Sequence, residues 1–170
     1  MPESLEERGV KLLSGWYGSE DYVVWDGGNM KITHLIAGKK VATISPRASL
    51  HDLVSSLATH HVGALVVSGD GKKIEGIVSE RDVVRAMPGH FDRFGQMHVK
   101  DIMTTDVTTA SADSTVSQLM TVMTERRIRH VPIVDENGLL LSIVSIGDVV
   151  KVHIAELDQE RQALANYINQ

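Results

Sequence analysis

The chain has 170 residues, a length that allows one buried core or two small ones but not a catalytic domain with a separate regulatory domain. Hydrophobic residues make up 42% of it and aromatic ones only 4%, which predicts a globular protein with an aliphatic core. A net charge of −5 argues against duplex-DNA binding, and the absence of cysteine excludes disulfides, thiolate metal ligands and cysteine nucleophiles.

The first 30 residues show poor periodicity and contain most of the aromatic side chains, including Trp16 and Trp25. The N-terminus has no positive n-region or apolar h-region, and no apolar run approaches the ~18 residues that span a bilayer. We therefore expect a soluble, cytoplasmic protein that binds neither membrane nor nucleic acid. Residues 1–30 have two open interpretations, an extended leader or an ordered arm that packs on a partner chain.

The sequence from residue 31 to residue 155 contains one unit twice, at the offset of 66 residues that separates Asp82 from Asp148. At this offset Ile77-Val78-Ser79 matches Ile143-Val144-Ser145. Self-similarity at a fixed spacing indicates one supersecondary unit that occurs in two copies.

Each copy contains apolar residues at i, i+3, i+4 and i+7, the spacing of an amphipathic helix. A Ser or Thr stands at each predicted start, with Asp or Gln three residues later, as in a capping box. The pattern predicts helices that begin near residues 49 and 115. The pairs are Ser49 with Asp52 and Thr115 with Gln118, and the apolar positions are Leu50, Leu53, Val54 and Leu57, then Val116, Leu119, Met120 and Met123.

A short apolar run follows each helix, at residues 64–67 and 131–134. Asp70-Gly71 in the first copy, and Asn137-Gly138 in the second, predict a hairpin turn into a return strand. The return strands, residues 74–78 and 139–144, lead directly into a second helix. With a short strand before the first helix, each copy is predicted to be β-α-β-β-α.

Breakers around Pro88 and Gly89 end the first copy and predict a linker. At the other end, Val150, Ile154, Leu157, Leu164 and Ile168 form an apolar stripe on a predicted helix that either covers the module or forms a dimer contact. The predicted boundaries are an extension over 1–30, repeat one over 31–87, a linker over 88–98, repeat two over 99–155 and a C-terminal helix extension over 156–170.

The segment that opens the second helix of each copy resembles the nucleotide-binding signature of CBS domains: Gly, two apolar residues, Ser or Thr, two variable residues and Asp. Gly76-Ile77-Val78-Ser79-Glu80-Arg81-Asp82 matches it, and residues 142–148 match it except that Ser142 replaces the glycine. Residues 99–104 and 127–134 are similar to the opening and middle segments of such a domain. The chain resembles a stand-alone tandem CBS pair, or Bateman module, over roughly residues 31 to 155.

This resemblance implies an α/β (α+β) fold in which two repeats pack about a pseudo-twofold axis, with small sheets flanked by helices and two clefts between the sheets. It also implies a homodimer. The implied function is regulation through a bound adenine nucleotide, AMP before ATP, NAD or S-adenosylmethionine, without catalysis and without a cofactor. The regulated protein partner is not identified by the sequence.

Ser79 with Asp82, and Ser145 with Asp148, are the predicted polar anchors of the ligand. A helix N-terminus offers unpaired N–H groups and partial positive charge to a phosphate, and a carboxylate three residues later can accept from ribose hydroxyls. The same Ser-x-x-Asp pattern also occurs as a capping box that binds nothing. Its recurrence after two strands, with the resemblance, favours the binding interpretation.

Arg129 and His130 are implied to contact a phosphate, because a guanidinium binds phosphate oxygens bidentately, with Arg81 as the alternative cation. A solvated basic helix end is the competing interpretation of Arg129. Repeat one has Gly63 and Ala64 at these positions, so the two sites are expected to differ. The positions implied to hold the base, which core packing explains equally well, are Thr43, Ile44, Val62, Ala64, Thr109 and Ile128.

A structural or protein-interaction module with vestigial clefts is the second hypothesis, favoured by Ser142 because its added side chain is expected to crowd a cleft. We predict no enzyme, since the sequence contains no nucleophile with a base, no paired carboxylates at a suitable spacing and no Walker-type glycine loop. The histidines at 60, 61, 90 and 98 lack acidic residues at metal-ligand spacing, so we predict no metal site.

Overall fold

The computed structural model describes residues 30–38 and 41–168, and the predictions for residues 1–29 lie outside the described residues. The β-α-β-β-α order is confirmed in both copies. In chain order the helices and strands are α1 (Thr33–Ile36), β1 (Thr43–Ile44), α2 (Leu50–His60), β2 (Ala64–Val67), β3 (Gly76–Ser79), α3 (Glu80–His90), β4 (Ala110–Ser111), α4 (Val116–Glu125), β5 (His130–Val134), β6 (Leu140–Ser145) and α5 (Ile146–Ile168).

The chain divides into two compact units whose boundaries do not follow the repeats. One, the repeat-one unit, contains residues 39–109 and 132–143. The other, the terminal unit, contains, of the described residues, 30–38, 110–131 and 144–168. Strands β5 and β6 therefore begin in one unit and end in the other.

The first sheet has the strand order β1-β2-β3 and lies in the repeat-one unit. β1 pairs in parallel with β2, Thr43 opposite Val66, and β2 pairs antiparallel with β3, Ala64 opposite Ser79. All four residues of β2 are buried, as expected for a central strand of aliphatic residues. The second sheet has the equivalent order β4-β5-β6.

The core of the repeat-one unit consists of aliphatic side chains from α2 and the first sheet. Leu50, Leu53 and Leu57 lie on the buried face of α2, as predicted, whereas Val54, predicted at i+4 of the same face, is 46% exposed. They cluster with Val78 of β3 and Val83 of α3. This packing fixes the junction between β3 and α3, where the candidate site lies.

The terminal unit is held together by α4, α5 and the segment around Met30. The Met30 N–H donates to Oε1 of Glu156 over 3.0 Å, and the Met30 carbonyl accepts from the Val116 N–H over 2.9 Å. Leu119 and Met123 of α4 are buried. Among the helices of the described residues, none combines the length and the apolar character that a membrane span requires.

Two local predictions require correction. The return strand of repeat one begins at Gly76 and not at residue 74. Helix α3 continues through Pro88 to His90, and a 3-10 helix over Phe91–Gln96 follows, so part of the predicted linker is helical. A second 3-10 helix, Val99–Asp101, opens repeat two. Pro88 has no N–H to donate to the carbonyl four residues earlier, and at the end of the helix Nδ1 of His90 donates to the Ala86 carbonyl over 3.0 Å.

Candidate ligand-binding site

The junction of β3 and α3 places Ser79 at the helix N-cap, in extended backbone conformation. Oδ2 of Asp82 accepts from the Ser79 N–H over 2.8 Å and from the Ser79 hydroxyl over 2.6 Å. Asp82 is half-buried, and its Oδ1 accepts no hydrogen bond from a described residue. This oxygen can therefore accept from a ligand hydroxyl without disturbing the serine.

The start of β2 lies directly beside this junction. The Glu80 N–H donates to the Gly63 carbonyl over 3.1 Å, and Ala64 is opposite Ser79 in the sheet. The structure therefore brings Val62, Ala64, Ser79 and Asp82 together at one edge of one unit. Val62 is half-buried there and packs against the core cluster.

The residues of repeat one that were implied to hold the base differ in accessibility. Thr43 is half-buried on β1, whereas Ile44 and Ala64 are 7% and 3% exposed. Ile44 belongs to the core cluster. Ile44 and Ala64 therefore offer almost no exposed surface to a ligand, while Thr43 remains partly accessible.

The equivalent junction in repeat two has the same internal geometry. Oδ2 of Asp148 accepts from the Ser145 N–H and hydroxyl over 3.0 and 2.7 Å, and the Asp148 N–H donates to the Ser145 Oγ over 3.2 Å. The Ile146 N–H donates to the Arg129 carbonyl over 2.8 Å. Arg129, Ser145 and Asp148 are therefore neighbours within the terminal unit.

Arg129 is exposed at the start of β5, and His130 is half-buried. Ile128, also half-buried, donates its N–H to the Met123 carbonyl over 3.0 Å. Arg129 can therefore reach an anion in solvent.

Arg81 precedes Asp82 at the first junction and is exposed on the first turn of α3. Thr109 lies apart from both junctions. Thr109 lines a groove of about 450 Å³ in the repeat-one unit, together with Thr105, Asn137 and Gly138, and no other predicted site residue lines that groove. Thr109 is thus placed beside the turn of the β5-β6 hairpin.

A groove of about 720 Å³ lies beside Asp82, and the sequence predicted only that one of its residues. Arg85 and Ala86 line it from α3, and Arg93 lines it from the following 3-10 helix. The positions of Arg85 and Ala86, three and four residues after Asp82, were a usable signal because they place all three on one helix face. Arg93 gave no signal, since its segment was interpreted as an irregular linker.

Gly76 and its counterpart Ser142 occupy different environments. A Cβ at Gly76 would lie 2.9 Å from both the Thr104 carbonyl oxygen and the Met103 sulfur. Ser142 is 1% exposed, and among the described residues its Oγ has no hydrogen-bond partner. The predicted crowding of an open cleft by Ser142 is therefore wrong, because the side chain lies in the interior.

The CBS domain family model matches residues 34–89 and 99–154. The chain belongs to the CBS-domain family. The CBS domain-containing protein YhcV of Bacillus subtilis is 30% identical, over 77% of this chain and 91% of its own. The crystal structure of the CBS-domain containing protein ATU1752 of Agrobacterium tumefaciens is 40% identical, with a TM-score of 0.67, over 72% of this chain and 98% of that chain.

A plant relative, the mitochondrial CBS domain-containing protein CBSX3 of Arabidopsis thaliana, is 37% identical over 71% of this chain. The match spans 60% of the length of that plant protein. The inosine-5'-monophosphate dehydrogenase of Methanocaldococcus jannaschii matches over only 22% of its own length. The shared region is a CBS pair and not a catalytic domain.

Two more distant CBS structures contain adenine ligands. CBSX2, solved in complex with AMP, is 21% identical with a TM-score of 0.63. The CBS pair of MJ0100, solved with 5-methylthioadenosine and S-adenosyl-L-methionine, is 24% identical with a TM-score of 0.64. At these identities the likeness is one of fold.

Proposed function

We propose that this CBS pair is a regulatory sensor that binds an adenine nucleotide, AMP before ATP or NAD, and catalyses no reaction. The observation that carries the proposal is the Ser-x-x-Asp arrangement, formed twice with the same contacts at a strand-helix junction. Adenine ligands in CBSX2 and in the MJ0100 pair support the choice of ligand class.

The chemistry of the proposed site follows from these contacts. Oδ2 of Asp82 is held by Ser79, so the carboxylate orientation is fixed before a ligand arrives. A preorganised carboxylate accepts from a ribose diol at little entropic cost. The first turn of α3 presents a partial positive charge to a phosphate. Val62 and Thr43 would then contact the base, with the backbone of Ile44 and Ala64.

In repeat two we propose that Arg129 and His130 add cationic contacts to the phosphate, while Ser145 and Asp148 hold the ribose. Ile128 would contact the base. Arg81 is the alternative cation for repeat one. Thr109 is not assigned a contact with the base, because it lies beside the turn of the β5-β6 hairpin.

Calorimetry of the purified protein against AMP, ATP, NAD and S-adenosylmethionine tests the proposal. We expect saturable binding of AMP, weakened about tenfold or more in each cleft by Asp82→Ala or Asp148→Ala, because a charge-assisted hydrogen bond contributes ~1.5–3 kcal/mol. Urea midpoints should show that both variants remain folded. The proposal would be refuted if none of the four ligands gave a binding signal at millimolar concentration, or if both variants bound AMP like the wild type.

We also propose a homodimer in which α5 contacts a second copy. Val150, Ile154, Leu157, Leu164 and Ile168 follow one another by three, four or seven residues and are 39–80% exposed. An apolar helix face of this length is typical of an interface. A sedimentation profile of a strict 18.6 kDa monomer at tens of micromolar would contradict it.

We also propose a cytoplasmic location, repeats over 31–87 and 99–155, and a regulated protein partner. The plant relative is a mitochondrial protein by name.

A structural or protein-interaction module without a ligand is the second candidate. Its support is that Ser142 stands where the signature has glycine, so repeat two departs from the nucleotide-binding pattern. The exposed apolar residues of α5 are compatible with either candidate. A stable dimer that gives no calorimetric binding signal with any of the four ligands would favour this second function.

A further inference from the structure

A short segment of the terminal unit, residues 30–32, lies against the start of α4, and we call it the first strap. The Met30 carbonyl accepts from the Val116 N–H over 2.9 Å, and the Ile32 N–H donates to the Ser114 carbonyl over 3.0 Å. The whole of repeat one separates these two segments in sequence. The segment that precedes repeat one is therefore part of the packing of repeat two.

The repeat-one unit contains a second strap, residues 97–99, which has the same order of a methionine, a basic residue and a β-branched residue. The Leu50 N–H donates to the Met97 carbonyl over 3.2 Å, and the Val99 N–H donates to the Ala48 carbonyl over 2.9 Å. These bonds are made at the start of α2, as those of the first strap are made at the start of α4. The two straps can therefore be compared contact by contact.

The straps differ in the group that accepts from their first N–H. The Met97 N–H donates to the Phe94 carbonyl over 3.2 Å, which is a local backbone bond. The Met30 N–H instead donates to Oε1 of Glu156 over 3.0 Å, across 126 residues of sequence. The first strap is thus fastened to α5 by a side chain, whereas the second is fastened by its own turn.

Glu156 is held in place for this bond. Its side chain is 12% exposed, and Nδ1 of His153, one turn earlier on α5, donates to Oε2 over 3.2 Å. Each carboxylate oxygen therefore has a partner, as a largely buried charge requires. Lys31 and Asp113 also form an ion pair over 3.6 Å, but both side chains are exposed, so this pair contributes little.

The first strap covers apolar side chains at the start of α4. The residues here that are at most 3% exposed are Met30, Ile32, Val116 and Leu119. Met30 is also the position at which the first 29 residues join the described chain. A partner that bound those residues, or one that bound α5, would therefore act on the same few contacts.

We propose that Glu156, positioned by His153, is a latch that keeps the first strap on α4, and that the strap opens as a local unit when this latch is weakened. The latch couples the N-terminal entry of the chain to the C-terminal helix. Neither residue belongs to the proposed ligand contacts, so the inference does not depend on the proposed function.

Native-state hydrogen exchange on the full chain tests the latch at four equivalent backbone N–H groups. These are the N–H groups of Ile32 and Val116 for the first strap, and of Val99 and Leu50 for the second. Glu156→Ala removes both contacts of the carboxylate, and Glu156→Gln keeps an acceptor but removes the charge. The matched control is Asp101→Asn, because Oδ2 of Asp101 accepts from the His98 N–H of the second strap over 2.8 Å but the side chain is 40% exposed.

We expect Glu156→Ala to speed exchange at Ile32 and Val116 by about tenfold or more, since a largely buried hydrogen bond to a charged group is lost. Glu156→Gln should give a smaller rise at the same two groups, and Val99 and Leu50 should keep their wild-type rates. Asp101→Asn should leave the first strap unchanged.

Urea midpoints of each variant separate local opening from global destabilisation. If Glu156→Ala does not fold, the exchange rates of Glu156→Gln decide. The inference would be overturned by wild-type rates at Ile32 and Val116 in the folded variants, or by an equal rise at all four groups in Glu156→Gln. A rise at the first strap that Asp101→Asn reproduces would overturn it as well.

Discussion

The two repeats have the same order of elements and the same serine-aspartate junction, yet they differ in three ways around it. Repeat one has Gly76 where repeat two has Ser142. Repeat one has Gly63 and Ala64 where β2 starts, and repeat two has Arg129 just before β5 and His130 as its first residue. The cap of the first helix contains an aspartate in one copy and a glutamine in the other. The junction is thus the same in both copies although its surroundings differ.

The largest expected effect comes from adding a side chain at Gly76, as repeat two does at the equivalent position. A Cβ there would lie 2.9 Å from the Thr104 carbonyl oxygen, and this backbone is itself paired, since Ile77 and Thr104 exchange both N–H···O bonds over 2.9 Å. We expect Gly76→Ala to lower the free energy of unfolding by about 2 kcal/mol through overpacking. Urea unfolding of the wild type and the variant measures this loss.

Gly147→Ala is the matched control for this substitution. A Cβ at Gly147 would lie 3.6 Å from the Ser145 Oγ, an ordinary contact, and the position lies within the first turn of α5. It should leave stability unchanged or raise it by about 0.5 kcal/mol, because alanine favours a helix over glycine. Equal losses from both alanine variants would contradict the steric explanation.

The basic pair of repeat two gives the next largest effect. If Arg129 and His130 contact phosphate, replacing both by Gln should weaken AMP binding by about 2 kcal/mol, roughly 30-fold in affinity. Adenosine, which has no phosphate, should bind almost as before. The wild-type preference for AMP over adenosine should also fall as salt rises. Arg126→Gln with Lys151→Gln removes two exposed cations of the same unit and is the control. A double variant that keeps the full AMP preference would shift the assignment to Arg81 and the helix N-termini.

Replacing the buried serine of repeat two should change the free energy of unfolding by less than Gly76→Ala, and should raise it. Ser142 Oγ has no partner among the described residues, so Ser142→Ala should raise the free energy of unfolding by about 1 kcal/mol. Ser68 is a matched control, since it is also buried but donates to Oδ1 of Asp70 over 3.1 Å. Ser68→Ala should lower stability by a similar amount. The same sign for both variants would show that hydrogen bonding is not the cause.

Much of the fold could be predicted because local chemistry and tertiary packing agree. The period of 3.6 in α2 and α4, their capping boxes and the turn glycines each indicate the observed element. Gly71 and Gly138 both have a φ of 74°, which only glycine adopts easily, so the hairpin turns were readable from the sequence.

The parts that could not be predicted depend on contacts distant in sequence or on competing local signals. Pro88 indicated a helix end, but the helix continues two residues beyond it. Arg85 and Arg93 meet at one groove only because the chain bends back after α3. The unpartnered state of Ser142 also depends on packing, whereas the absence of the signature glycine was visible in the sequence.

The smallest expected effect concerns the caps of α2 and α4. Oδ2 of Asp52 accepts from the Ser49 hydroxyl and N–H over 2.6 and 3.2 Å, whereas in the second copy Oε1 of Gln118 accepts from the Thr115 N–H over 2.9 Å. The hydroxyl and N–H of Ser49 hold the pKa of Asp52 below its ordinary value, while an amide does not titrate. Only the first cap should therefore respond to acid.

A carboxylate whose pKa is lower in the folded protein than in the unfolded chain stabilises the fold. This stabilisation is fully present above the pKa of the unfolded chain, about 4, and is lost as the pH falls through the pKa of the folded protein. Asp52→Gln should thus lose less stability than wild type between pH 7 and about pH 3, and Gln118→Glu should lose more. The pKa of Asp70 is also lowered, by the N–H groups of Lys73 and Lys72. Asp70 is unchanged in the wild type and in both variants, so its contribution to the pH dependence cancels in the comparison. Urea midpoints at both pH values measure the difference. If the three proteins lose stability in parallel on acidification, the caps do not differ in the way their side chains indicate.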